Sequence, residues 1–94
     1  MWISFLGWGA LIPIMDLEKL WKSTLAEVEL SVTKATYHTH FSTTQLLSLE
    51  KGVATIGVAN PLMRQLVESR YYSLLKNILD TRTKENTSLV FVVS

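Results

Sequence analysis

The sequence predicts a small α+β domain in the order ααββαβ, a three-stranded sheet packed by helices. Two segments, 16–30 and 58–79, carry apolar residues at helical spacing. Two short runs of β-branched and apolar residues flank Gly52, and the last apolar stretch is SLVFVV. A chain of 94 residues makes one domain. At this size about 60% of the unfolded surface is buried, enough for one modest core.

Composition narrows the function. There is no cysteine, hence no disulfide framework, thiolate nucleophile or cysteine-ligated zinc, and a reducing cytoplasm is the expected location. A net charge of +1 is far from the balance of a dedicated nucleic-acid binder.

Residues 1–15, MWISFLGWGALIPIM, hold no charged side chain, and every charged residue follows Met15. The run is shorter than the roughly 20 apolar residues of a transmembrane helix and is broken by Gly7, Gly9 and Pro13. Nothing basic precedes Lys19, so it lacks the n-region of a secretory signal, and no membrane association is expected. Residues 1–15 therefore read as an apolar leader outside the fold, with the domain proper at 16–94. The alternative is a sticky arm in which Trp2, Phe5, Leu6, Trp8 and Ile12 dock on another copy or on a membrane surface.

From Asp16, a candidate cap, Leu17, Leu20, Trp21, Thr24, Leu25 and Val28 share one helical face, and the helix is expected to end near Leu30. Ser31 offers a cap for a second helix over roughly Val32–Phe41, with Tyr37 and Phe41 one turn apart. Gln45–Leu49 and Val53–Val58 then read as a hairpin turning at Glu50, Lys51 and Gly52, and Ala54, Ile56 and Val58 form its apolar face.

The third helix is the best defined. Asn60 caps it, Pro61 occupies the first position, and Met63, Val67, Tyr71, Leu74, Leu75 and Ile78 form its core stripe. Leu62 and Leu66 fall on the other side with Ser69 and Ser73, two large apolar groups on what should be a solvated face. DTRTKENTS reads as a polar loop, and Ser88–Val93 as the last strand, its partner undecided.

Candidate chemistry is sparse. His38 and His40 sit about 200° apart on a helix and cannot readily share a metal, so no metal or cofactor is assigned. No phosphate loop, nucleophile elbow or dinucleotide motif occurs, and no catalytic site is expected. Arg64 and Glu68 read as a helix-surface ion pair. Arg64, Arg70, Tyr72 and Lys76 form a mildly basic face suited at most to weak single-stranded nucleic acid, by stacking and phosphate contact. The ααββαβ order resembles KH-like folds, but their GXXG grip is missing.

LWKSTLAEV at 20–28, Tyr37 with Phe41, LLSLEKGVATIGVAN at 46–60 and PLMRQLVESRYYSLL at 61–75 occur in an order and spacing that resembles the N-terminal domain of the bacterial replication initiator DnaA. The resemblance implies a KH-like module without GXXG that self-associates, helps recruit the replicative helicase, receives regulators and binds single-stranded DNA weakly. Trp21 then matches the family tryptophan of self-association, although its periodicity places it in the core stripe. The family's helicase surface pairs an acidic residue before the helix-two aromatic with an aromatic early in helix three. Here those positions hold Thr36 and Leu62, and His40 replaces a frequent tryptophan. The expected partner surface is Leu62, Leu66, Thr36 and Ser69.

Overall fold

A computed structural model describes residues 14–94; the apolar leader expected over residues 1–15 lies outside them up to residue 13. Helix α1 spans Ile14–Ser31, two residues longer at its start than the spacing suggested, so Asp16 lies in its first turn rather than at the cap. There its carboxylate complements the positive end of the helix dipole. Leu17, Trp21, Thr24 and Val28 are buried along one side, as the periodicity requires.

The second helical segment is not one α-helix capped by Ser31. The Ser31 hydroxyl instead bonds back to the Glu27 carbonyl, closing α1. Thr33 caps a single turn, Lys34–Thr36, by accepting from the Thr36 amide at 3.1 Å. The chain then widens into a π-turn over Tyr37–Phe41, sealed by the Ser42 amide on the Tyr37 carbonyl at 3.0 Å. These two pieces form α2. Phe41 at its end is wholly buried.

Strands β1 (Gln45–Glu50) and β2 (Val53–Val58) pair antiparallel, with a register shift between Leu46 and Ser48. Their turn places both Lys51 (φ 51) and Gly52 (φ 74) in the left-handed region, the requirement of a tight two-residue hairpin. After helix α3 (Pro61–Thr83), strand β3 (Ser88–Val93) returns parallel to β2, so the sheet order is β1-β2-β3 with β2 central. Leu46, Leu49, Ala54, Ile56, Val58, Leu89 and Phe91 turn inward to meet α1 and α3. No helix among the described residues is long and apolar enough to cross a membrane.

Helix α3 runs a turn beyond Leu79, so Asp80–Thr83, expected in a loop, are helical. The Thr81 and Thr83 hydroxyls donate to the Asn77 and Leu79 carbonyls, and Arg82 pairs with Glu27 of α1 at 2.5 Å. Lys84 ends the helix in the left-handed region, φ 59, its amide donating to the Asp80 carbonyl at 2.8 Å. Polarity over Asp80–Thr83 marked solvent exposure, and the backbone stayed helical because tertiary contacts hold it.

Candidate protein-docking surface

Helix α3 carries the surface. Its start is fixed by Asn60, whose side-chain oxygen accepts from the Met63 amide at 2.9 Å, and by Pro61. Val67, Leu75, Ile78 and Leu79 are buried on the core side, with Met63, Tyr71 and Leu74 packed against them. Leu79 joins the stripe, which the sequence projection did not include. Over the first two turns Pro61, Leu62, Arg64, Gln65 and Glu68 are all exposed, on the side of the helix turned away from Met63 and Val67.

Leu62 is 61% exposed, Leu66 is half-buried, and Ser69 and Ser73 lie exposed on the same edge. The Ser69 hydroxyl turns back toward the Leu66 carbonyl at 3.5 Å, leaving the edge low and weakly polar. Full burial of one leucine side chain is worth about 1.5–3 kcal/mol. Leu62 alone thus offers a partner a gain that folding has left unused.

Thr36 stands on the neighbouring α2. Its amide and hydroxyl engage Thr33, and its carbonyl meets His40 Nδ1 at 3.2 Å. The two helices touch through Tyr71, whose ring meets Phe41 edge-on at 5.1 Å and His40 at 6.1 Å. The structure therefore groups Leu62, Leu66 and Ser69 on one edge and holds Thr36 on the adjoining helix. His40 and Tyr71, at the junction, were not foreseen as its hinge, since no local signal links residues so far apart.

Two members of the expected basic face are committed elsewhere. Tyr72, placed on the solvent side by the sequence reading, packs against the core; its hydroxyl accepts from the Leu89 amide at 3.2 Å and its ring lies 6.2 Å from Phe91. Lys76 spends its ammonium protons on Asp80 Oδ2 (3.0 Å), Asn86 Oδ1 (2.5 Å) and the Thr87 carbonyl (2.8 Å). Both serve the β3 return, and only Arg64 and Arg70 of the four remain exposed. The expected Arg64–Glu68 ion pair is also absent: among the described residues the pairs are Lys76–Asp80 and Arg82–Glu27.

Trp21 is 4% exposed, and its indole N–H donates to Thr44 Oγ1 at 3.1 Å, while that hydroxyl donates to the Phe41 carbonyl at 2.6 Å. The chain ties α1 to the end of α2 and the start of β1. Trp21 is a core residue, as its periodicity indicated, and contact with another copy through it would require the core to open.

The family model for the DnaA N-terminal domain matches residues 18–81. Over 65 residues the chain is 34% identical to the chromosomal replication initiator protein DnaA of Chloroflexus aggregans; that stretch is 69% of this chain and 14% of that protein, so the chain spans only a small part of its relative's length. Among solved structures, the crystal structure of a HobA-DnaA (domain I-II) complex from Helicobacter pylori superposes with a TM-score of 0.69 at 20% identity, covering 81% of this chain and 98% of the other. The fold is shared with that structure, and the match across most of the helix-hairpin-helix framework shows that the chain belongs to the DnaA N-terminal domain family.

Proposed function

We propose that this domain is a protein-interaction module of DNA replication initiation that acts by contact and not by catalysis. Its partner is the replicative helicase or a replication regulator, engaged through the α3 edge led by Leu62 and Leu66 and bordered by Ser69 and by Thr36 on α2. The observation that carries the reading is the exposure of Leu62, 61%, on the solvent side of the first turns of α3. Family membership supports it, as does the structural neighbour, a DnaA fragment that was itself crystallised bound to another protein, HobA. The weakly polar serines beside the leucines favour an apolar partner surface, since they cost little to desolvate once hydrogen-bonded.

Calorimetric titration of the replicative helicase with the full chain tests the reading. Leu62→Ala combined with Leu66→Ala is expected to weaken binding about tenfold or more, because the complex loses the burial of two leucine side chains. Leu62→Ala alone should leave the thermal midpoint in place because the side chain has little to lose on the folded surface. Unchanged affinity in the double variant, for helicase and regulator alike, would sink this surface.

A further inference from the structure

The two edges of the sheet, β1 and β3, are not alike. A strand edge presents unpaired amides and carbonyls on which another chain can build, unless charge, proline, a bulge or a covering group prevents it. The β1 edge has such devices: its register breaks between Leu46 and Ser48, and an exposed Glu50 ends the strand. The β3 edge has none in its own sequence. SLVFVV holds no charged residue, proline or glycine, its register with β2 runs unbroken from Ser88 to Val93, and Val90 and Val93 are 44% and 47% exposed. Six residues of this composition are the kind that pair with their own copies.

Alternation along the strand shows which backbone groups are free. The Ser88 and Ser94 amides donate to the Gly52 and Val58 carbonyls at 2.7 and 3.0 Å, so the even-numbered residues of β3 turn their backbone groups to β2, and Leu89, Phe91 and Val93 turn theirs outward. Among the described residues, only Leu89 of these three has a partner for its amide. That partner is the Tyr72 hydroxyl of α3, 3.2 Å away, with the Tyr72 ring 6.2 Å from that of Phe91. The phenol oxygen takes the place that a carbonyl of an added strand would need.

The occupant the edge fits is a second copy of itself. A two-fold axis at Phe91 sets Leu89 against Val93 and Val90 against Val92, apolar on apolar on both faces. The two Phe91 residues then exchange hydrogen bonds, as do Leu89 of each copy and Val93 of the other. With Tyr72 in place the Leu89 donor of each copy is already spent. We propose that Tyr72 is a latch on the β3 edge, holding the Leu89 amide so that β3 does not pair edge to edge with β3 of a second copy. This surface is the strand edge itself and uses neither Leu62 nor Leu66.

Tyr72→Phe keeps the ring beside Phe91 and removes the acceptor. In sedimentation equilibrium the full-chain variant is expected to self-associate about tenfold or more tightly than the parent, since a symmetric pair regains two hydrogen bonds. Hydrogen exchange followed by NMR locates the contact. In the parent, the Leu89 amide should exchange more slowly than those of Phe91 and Val93 at every protein concentration. In Tyr72→Phe all three should exchange fast when dilute and become protected as the chain is concentrated. Adding Val90→Lys, which sets a lysine on the paired edge and near its counterpart across the axis, should return association to the parent's level. A folded Tyr72→Phe that associates no more tightly than the parent overturns the proposal, as does tighter association that Val90→Lys leaves in place. The parent chain alone also decides it: the latch fails if Leu89 exchanges as fast as Phe91 and Val93, or if all three gain protection with concentration while Tyr72 is intact.

Discussion

Lys76 and Asp80 show how far one residue's role depends on its neighbours in space. By sequence Lys76 is a helix-surface cation; in the fold its three ammonium donors hold Asp80, Asn86 and Thr87, and the Asp80 carboxylate also accepts the Thr87 amide at 2.7 Å. The pair clamps the loop that launches β3. Desolvation pushes the Asp80 carboxyl upward, but the hydrogen bonds and charge of Lys76 and the Thr87 amide outweigh it, holding the group below its ordinary value of 3.8. A carboxyl depressed in the folded state binds protons more readily when unfolded, so its stabilisation is full above the ordinary value and fades as pH falls through the folded one. Asp80→Asn keeps an acceptor for Thr87 but loses the charge. Its thermal midpoint should be lower than that of the parent chain at pH 7, and the gap should narrow as pH falls below the ordinary carboxyl value of 3.8. Midpoints measured by circular dichroism across that range check the sign.

At the level of elements, the beginnings of helices were easier to read than their ends. Asn60 and Pro61 announced the start of α3 because a cap is a local hydrogen bond between residues three apart. Its end was set by groups beyond the helix: Glu27 on Arg82, and Asn86 and Thr87 on the Lys76–Asp80 pair. The stop then falls on a lysine in the left-handed region, where glycine is the residue without steric cost. Lys84→Gly should therefore stabilise the domain by about 0.5–1 kcal/mol, read from urea unfolding, because the relief of the left-handed conformation exceeds the freedom that glycine adds to the unfolded chain. The π-turn of α2 was equally hidden. Periodicity placed Tyr37 and Phe41 on one side, yet the full burial of Phe41 against Tyr71 belongs to the tertiary fold.

For the molecule as a whole, the sheet sets the order of stability. Strand β2 is paired on both sides and buries Ala54, Ile56 and Val58, whereas α2 is one α-turn and one π-turn with only Phe41 buried. Hydrogen exchange followed by NMR should find the slowest amides in β2 and the fastest element in α2. The ααββαβ order, the core stripes of α1 and α3, the hairpin about Gly52 and the exposed Leu62 were legible in the amino-acid order, because period, caps and turn residues act over a few positions. That β3 runs parallel beside β2, and that Tyr72 and Lys76 turn from a supposed basic face to hold it there, emerged with the packed fold. Those outcomes depend on which distant surfaces and unpaired polar groups meet, and local periodicity carries no information about such meetings.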